Sequence, residues 1–353
     1  MRRFAPLLGS LLFLLAGLGL LDRVQGAPRL VAELEFPSQV QALAPHPDGR
    51  RFAAGHAGGF SLCDRDGRVL GSRELPYTNE LLFQADGLAL FVGSTRAAMI
   101  LDASTLEPRT RFPGFAGCAG MSADGRVVVT AHNMLDDDMR PDTTSLTCFR
   151  DGKEFWRFDR PGAVTRLTLS PNGRYVCARW WPTEPEWALF DLQTREQLAR
   201  RGTGFVAFAA DGRRMVQQAH TKQLVMLDLD RRRSVAGPVD TGTCGPVAFG
   251  PGDRQLLTSA AFPQAEQART WEGVGLAPLA RLDLGESGGS AWLAGEVLTF
   301  AHRGAARVWD PSTGRIVVEG LAGPAPQVAT GGPGWAALAG AAGDRGRVSL
   351  WTW

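Results

Sequence analysis

The chain has 353 residues, of which 44% are hydrophobic and 21% charged, the composition of a globular protein with a sizeable core. It carries 38 basic and 36 acidic residues, so no charge excess marks a nucleic-acid-binding surface. The 43 glycines and 22 prolines are typical of a fold rich in turns.

The first 26 residues differ in character from the rest. Arg2 and Arg3 precede an apolar run over residues 4–21, and small residues stand before Ala27. This is the layout of a secretory signal peptide cleaved before Ala27. The alternative is an uncleaved membrane anchor, since the run approaches the length that spans a bilayer. We therefore expect an exported protein, periplasmic or extracellular, or one held at the membrane by this segment.

A four-strand pattern repeats after residue 28, and residues 163–200 show it best. Alternating apolar and polar residues predict a strand over 164–169, and Asn172-Gly173 predicts the tight turn after it. Three more strands are predicted at 175–180, 187–191 and 196–200.

Two features of this pattern recur every 40 residues or so. The turn glycine returns as Gly49, Gly87, Gly125, Gly173 and Gly212. An acidic residue closes the third strand as Asp64, Asp102, Asp191, Asp228 and Asp310. Four strands in each period of this length are typical of the blades of a β-propeller.

Over residues 29–353 the chain resembles the WD-repeat β-propeller family. The resemblance rests on the Asp-Gly-Arg turns and on strand ends such as Trp309-Asp310. The family's Gly-His pair and the Asp between strands two and three are missing, so its Asp–His–Ser/Thr–Trp network is not expected and apolar packing should hold the blades. The resemblance implies an all-β propeller that binds proteins, similar to those of exported bacterial proteins.

Eight repeats are predicted, opening near residues 41, 79, 116, 163, 204, 244, 290 and 326. The last stops at its third strand, and Arg29–Phe36 can supply the fourth, which would leave no open edge in the ring. We expect one domain over residues 27–353, a monomeric disc of eight four-stranded antiparallel blades closed by the N-terminal strand. Seven blades is the alternative, because the sixth and last repeats are poor copies.

The histidines follow the repeat. His56, His132 and His302 each lie seven residues after a turn glycine, and His220 lies eight after one. Second strands of alternate blades should hold them more than about 10 Å apart, which is too far for a shared metal. They are expected to form hydrogen bonds at hairpin turns instead.

No motif assigns catalytic chemistry. The five cysteines are widely spaced, and we expect them to be buried small hydrophobic residues. Their spacing selects no pair for a disulfide. They are Cys63, Cys118, Cys148, Cys177 and Cys244. Nucleophile-elbow, phosphate-loop and dinucleotide patterns are absent, so we expect no catalytic residue, cofactor or metal. The alternative is a propeller enzyme of the lactonase or quinoprotein-dehydrogenase kind, whose ligands would be scattered through the sequence.

The predicted binding surface is the face that carries the loops between second and third strands. Its longest loops are residues 133–145, 180–186 and 262–267. They contribute Asp136, Asp137, Asp138, Trp180, Trp181 and Phe262. One of the two tryptophans is expected to be exposed as an interface anchor, beside a solvated acidic loop.

Arg231-Arg232-Arg233 is expected to be a solvated corner of the opposite face. The predicted function is therefore an exported, non-catalytic scaffold for an unknown protein partner, with no nucleic acid bound. A structural part of an envelope complex is a third possibility.

Overall fold

A computed structural model describes residues 27–353 except residues 96, 114–117, 136–140, 182–185, 203, 220–221, 243–244, 260–266, 284–288, 294–295, 301–304, 323–325, 333 and 343–344. For some strand residues beside these segments, Trp181 among them, it describes the backbone alone. The expected signal peptide, residues 1–26, lies outside the described residues. No helix in the described part is long and apolar enough to cross a membrane.

The described residues form eight antiparallel sheets of four strands each, as the sequence predicts. The strands are β1 (Arg29–Phe36), β2 (Val40–Pro45), β3 (Arg51–His56), β4 (Gly59–Asp64), β5 (Val69–Glu74), β6 (Thr78–Phe83), β7 (Ala89–Ser94), β8 (Ala98–Asp102), β9 (Pro108–Phe112), β10 (Ala119–Met121), β11 (Val127–Leu135), β12 (Pro141–Arg150), β13 (Lys153–Pro161), β14 (Ala163–Leu169), β15 (Tyr175–Trp181), β16 (Glu186–Asp191), β17 (Glu196–Gly202), β18 (Gly204–Phe208), β19 (Arg214–Ala219), β20 (Gln223–Asp228), β21 (Arg233–Asp240), β22 (Val247–Phe249), β23 (Gln255–Ser259), β24 (Gln267–Glu272), β25 (Pro278–Asp283), β26 (Gly289–Leu293), β27 (Glu296–Phe300), β28 (Ala305–Trp309), β29 (Ile316–Ala322), β30 (Pro326–Gly332), β31 (Trp335–Ala342) and β32 (Arg345–Thr352).

Each sheet is one blade of a ring. Blade 1 is β2–β5, the following groups of four strands form blades 2 to 7, and blade 8 is β30, β31, β32 and β1. First strands of neighbouring blades contact one another; β2 contacts both β6 and β30, and β18 contacts β22. These first strands therefore surround a central channel, and the fourth strands lie at the rim.

The two ends of the chain meet in blade 8, which confirms the predicted closure. β1 pairs with β32 from Arg29 opposite Thr352 to Phe36 opposite Gly346. Phe36 is 5% exposed and packs in one apolar cluster with Phe52 of blade 1 and Trp335 of blade 8. The N-terminal strand thus covers the last strand edge and joins blade 8 to blade 1 through its side chains.

The antiparallel order of each blade defines two faces. Turns between strands one and two, and between three and four, emerge on what we call the lower face. Turns between strands two and three, and the links between blades, emerge on the upper face.

On the lower face, described first turns contact the first turn of the next blade. The Nε2 atom of His46 lies 3.0 Å from the Gly87 carbonyl oxygen, and Gln84 Nε2 donates to the carbonyl oxygen of Asp124 at 2.8 Å. Gly87 has a φ of 75°, and a Cβ atom there would lie 2.5 Å from the His46 ring. A glycine is therefore required both by the turn and by the neighbouring blade.

Blade 6 departs from this turn pattern, because a single 3₁₀ turn, Pro251–Asp253, follows its first strand. Asp253 there has a φ of 57°, and its two carboxylate oxygens accept from the Ala210 N–H of blade 5 at 2.9 and 2.8 Å. The sequence Pro251-Gly252-Asp253-Arg254 is thus a variant of the turn, with the link between blades made by a carboxylate.

The acidic residues that close third strands cap the following turns. Asp102 Oδ1 accepts from the backbone N–H groups of Ser104 at 2.9 Å and Thr105 at 3.0 Å. Its Oδ2 forms an ion pair with Arg109 at 2.6 Å. These contacts explain why the repeat keeps an acidic residue at this position.

Apolar clusters lie between neighbouring blades. One joins blade 3 to blade 4 and includes Val129, Leu146, Val176 and Phe190. The described cysteines belong to this packing, since Cys63, Cys148 and Cys177 are at most 3% exposed, and none is in a disulfide. Cys244 lies outside the described residues.

Candidate functional site

Blade 3 rises above the upper face. Its strands β11, β12 and β13 have nine, ten and nine residues, against six in each strand of blade 1. β11 begins two residues after its turn glycine, as β3 does, so its additional residues all lie at the upper end. Three residues of strand extend the blade by about 10 Å.

We call the part of β11 and β12 that spans residues 132–145 the projecting hairpin. Its pairing continues to Leu135 opposite Pro141, and Met134 near its end is 41% exposed. The predicted loop 133–145 is therefore mostly strand. Asp136, Asp137 and Asp138 lie outside the described residues.

The second predicted loop lies beside this hairpin, on blade 4. β15 and β16 pair up to Trp180 opposite Glu186, and the guanidinium carbon of Arg160 in blade 3 lies 5.0 Å from the Trp180 ring centroid. The third predicted loop, with Phe262, lies outside the described residues.

Trp180 is buried, so it is not the exposed member of the predicted tryptophan pair. It is 2% exposed and lies in the apolar cluster between blades 3 and 4, with ring centroids 6.4 Å from Phe158 and 6.2 Å from Phe190. A second strand is covered by a neighbouring blade on each side, so alternation along it does not separate buried from exposed positions. Of the predicted pair, Trp181 remains the candidate, and its side chain lies outside the described residues.

His56 has the predicted hairpin role. Its Nδ1 accepts from the Gly58 N–H at 3.2 Å, and its ring centroid lies 5.4 Å from that of Phe36. Burial lowers the pKa of this imidazole.

His132 differs from His56, because its Nδ1 atom is buried without a hydrogen-bond partner. It lines a cavity of about 220 Å³ at the foot of the projecting hairpin, together with Ser145 and Arg157. His220 and His302 lie outside the described residues. Within the described part of the chain, no three His, Cys, Asp or Glu residues are grouped closely enough to hold a metal ion.

The central channel holds a larger cavity that the sequence did not predict. It has a volume of about 500 Å³ and is lined by first strands of blades 2, 3 and 4. Glu80, Cys118 and Arg166 line it from these three blades in turn. We call these three residues the channel triad.

The members of the channel triad occupy equivalent positions. Each lies seven residues before a turn glycine of positive φ, namely Gly87, Gly125 and Gly173. Counting seven residues back from the turn glycines of blades 1 and 5 gives Ala42 and Phe205. Because first strands begin at the upper face, this level of the channel lies near its upper mouth.

Burial raises the pKa values of two members of the channel triad, Glu80 and Cys118. It raises the pKa of Glu80 from 4.5 to about 7, against the opposing effect of the Arg166 charge. It also raises the pKa of the Cys118 thiol to about 12, and the charge of Glu80 adds to that shift. The thiol is therefore protonated at neutral pH and donates to the Val164 carbonyl, with Sγ 3.8 Å from the oxygen.

On the lower face, arginines are paired with carboxylates. A groove of about 510 Å³ is lined by Arg126 and Arg174, which form ion pairs with Asp151 at 2.9 Å and Asp230 at 2.8 Å. In the predicted solvated corner, Arg232 lies 3.4 Å from Glu196 of the neighbouring blade. That corner is exposed, as expected.

No protein-family model and no curated protein matches the chain. Solved β-propeller structures do match. BamB from Moraxella catarrhalis is 13% identical, with a TM-score of 0.64, and the match covers 93% of this chain and 100% of that one.

Two further structures are similar. The computationally designed Ika8 protein is 15% identical, with a TM-score of 0.68 over 92% of this chain and 100% of its own. The propeller domain of Cps50 (Swd1) from Myceliophteria thermophila is 16% identical, with a TM-score of 0.56 over 77% of this chain and 96% of its own. At these identities the matches show the fold, which is a WD40-like β-propeller.

Proposed function

We propose that this propeller is an exported, non-catalytic scaffold that binds a protein partner through its upper face. The observation that carries the proposal is the projecting hairpin, which stands about three residues higher than the strands of blade 1. Met134 is exposed, and the sequence that follows it is acidic, Asp136-Asp137-Asp138. An exposed apolar residue in a charged segment is typical of protein interfaces.

The way the hairpin is held supports this role. Asn133 and Thr144, which face each other across β11 and β12, contact the main chain of Val164 in blade 4. A projection tied to its neighbour loses little conformational freedom on binding, and this favours affinity.

The groups in the channel favour binding over chemistry. The Cys118 thiol is held in its protonated form, which is a poor nucleophile. The described histidines near the upper face, His56 and His132, belong to blades 1 and 3, which are not neighbours in the ring. The alternative remains a propeller enzyme of the lactonase or quinoprotein-dehydrogenase kind.

Site-specific photo-crosslinking in the native cell envelope tests the proposal. A benzophenone amino acid at Met134 probes the projecting hairpin, and one at Leu88 is the matched control, because Leu88 is 62% exposed on the lower face. We expect a discrete crosslinked product from position 134 only. A product from position 88 alone, or from neither position, would contradict the proposed surface.

Two measurements on the purified protein address the remaining parts of the proposal. Stoichiometric metal or a cofactor absorption band would favour the enzyme alternative over the scaffold. N-terminal sequencing of protein recovered from the envelope should begin at Ala27 if the leader is cleaved. Retention of residues 1–26 in membrane-bound material would indicate an anchor instead.

A further inference from the structure

We propose that the upper end of the central channel binds a small zwitterion, of amino-acid or short-peptide size, whose ammonium group pairs with Glu80 and whose carboxylate pairs with Arg166. This inference goes beyond the scaffold function and does not depend on it, since the channel triad and the projecting hairpin are separate surfaces.

The two charged groups of the triad are not neutralised by the protein. Among the described residues, neither Glu80 nor Arg166 has a hydrogen-bond or ion-pair partner for its side chain, although the Arg166 charge acts on Glu80 across the cavity. A mostly buried carboxylate without a partner is costly, and an ammonium group would offset that cost. The guanidinium group of Arg166 can bind a carboxylate through two parallel hydrogen bonds.

The residues around Glu80 and Arg166 determine which class of ligand this pair of charges selects. The equivalent positions in blades 1 and 5 are apolar, Ala42 and Phe205, so the opposite charges lie on blades 2 and 4 with the neutral Cys118 between them. A simple cation that approaches Glu80 is repelled by Arg166, and a simple anion at Arg166 is repelled by Glu80. A molecule that carries both charges is the complement of this arrangement.

The cavity also suits the body of such a molecule. Its volume of about 500 Å³ lies within the range of small-molecule sites. Leu82 and Met121 line it beside the charged groups and supply apolar contact for the part of the ligand between its ends. The predicted ligand is therefore polar at both ends and apolar between them.

Isothermal titration calorimetry with alanine, dialanine and trialanine at pH 8 and low salt tests the proposal. These peptides share their end groups and differ in the spacing between them. Acetylated trialanine lacks the ammonium group, and trialanine amide lacks the carboxylate. We expect saturable binding of one equivalent of at least one uncapped compound, and binding at least about tenfold weaker for each capped peptide.

Variants assign the two ends of the ligand. Glu80→Gln and Arg166→Gln should each weaken binding of the tightest-binding uncapped compound by at least about tenfold. Glu107→Gln, on the exposed outer part of blade 2, should leave that binding unchanged. The ligand should also raise the melting temperature of the parent protein, a measurement that needs no variant. Equal binding of capped and uncapped peptides, unchanged binding by both channel variants, or no saturable binding in the series would overturn the proposal.

Discussion

Asn133 of blade 3 forms two hydrogen bonds with the main chain of Val164 in blade 4. Its Nδ2 donates to the Val164 carbonyl oxygen at 3.1 Å, and its Oδ1 accepts from the Val164 N–H at 3.0 Å. The register of β14 against β15 shifts between Val164 and Arg166. The side-chain amide of Asn133 therefore forms hydrogen bonds with the main chain at the point where regular strand pairing is interrupted. The base of the projecting hairpin is thereby fixed to the next blade.

Replacing Asn133 by Ala should lower the free energy of unfolding by about 1–2 kcal/mol, because its two hydrogen bonds to Val164 are lost. The Val164 N–H keeps its contact with Thr144 Oγ1, and the carbonyl keeps the Cys118 thiol, so neither group is left without a partner. Asn79→Ala is the matched control, since the Asn79 Oδ1 is buried without a hydrogen bond. Urea denaturation of the two variants measures the difference. Equal losses from both would show that the contact with Val164 contributes little.

Removal of β1, Arg29–Phe36, should lower the melting temperature strongly and promote aggregation. The deletion exposes the edge of β32 and removes buried Phe36, whose burial alone is worth about 1.5–3 kcal/mol. Protein that begins at Ala27 is the reference for the thermal melt. If the shortened protein melts like the reference, the N-terminal strand does not close the ring.

Gly87→Ala should destabilise the protein more than Gly252→Ala. Both glycines have positive φ, 75° and 66°, which costs about 1 kcal/mol or more for an alanine. At Gly87 the added Cβ would also lie 2.5 Å from the His46 ring, whereas Gly252 has no atom within 4 Å of that position. The free energies of unfolding of the two variants, measured by chemical denaturation, should therefore differ by the effect of the clash with His46. Equal losses of stability would mean that close packing of Gly87 against His46 contributes little.

Glu80→Gln should stabilise the protein at pH 8 and have little effect near pH 4. The pKa of Glu80 is raised from 4.5 to about 7, so the folded protein keeps a proton that the unfolded chain releases between these values. Its contribution to stability is thus complete below pH 4.5 and is lost as the pH rises through 7. At pH 8 the gain in the free energy of unfolding from a residue that cannot ionise should be on the order of 3 kcal/mol.

Arg166 is the ionisable group whose charge acts on the pKa of Glu80. Of the strands packed against β6, β2 and β7 carry no ionisable residue, and β3 carries Arg51 and His56 at its two ends. Urea denaturation of parent and Glu80→Gln protein at both pH values checks the prediction. A stability difference that does not change with pH would mean that the carboxyl is not perturbed.

The strands of blade 4 show why much of the fold could be predicted. Strands predicted at 175–180 and 187–191 are observed as Tyr175–Trp181 and Glu186–Asp191. Two-residue alternation and a turn glycine are local signals, and their repetition fixes the number of blades. The closure by Arg29–Phe36 followed from the missing fourth strand of the last repeat.

The site was less predictable, because it depends on how blades face one another. The sequence predicts that one of Trp180 and Trp181 is exposed but does not say which, and in the structure a neighbouring blade covers Trp180. Glu80 and Arg166 belong to different repeats, and only the ring brings them to one cavity. Counting seven residues back from each turn glycine would have placed them at the same level.

The most direct test of the proposed binding surface shortens the projecting hairpin. Asn133 and Thr144 are opposite each other, so residues 134–143 can be replaced by Asn-Gly, a two-residue hairpin turn. The contacts of Asn133 and Thr144 with Val164 are retained, and the melting temperature should stay close to that of the parent. The shortened protein and the Leu88→Ala lower-face control are then compared by the amount of the crosslinked partner recovered with each from the native envelope. We expect loss of the partner from the shortened protein alone. Undiminished recovery of the partner with the shortened protein would contradict the upper face as the binding surface.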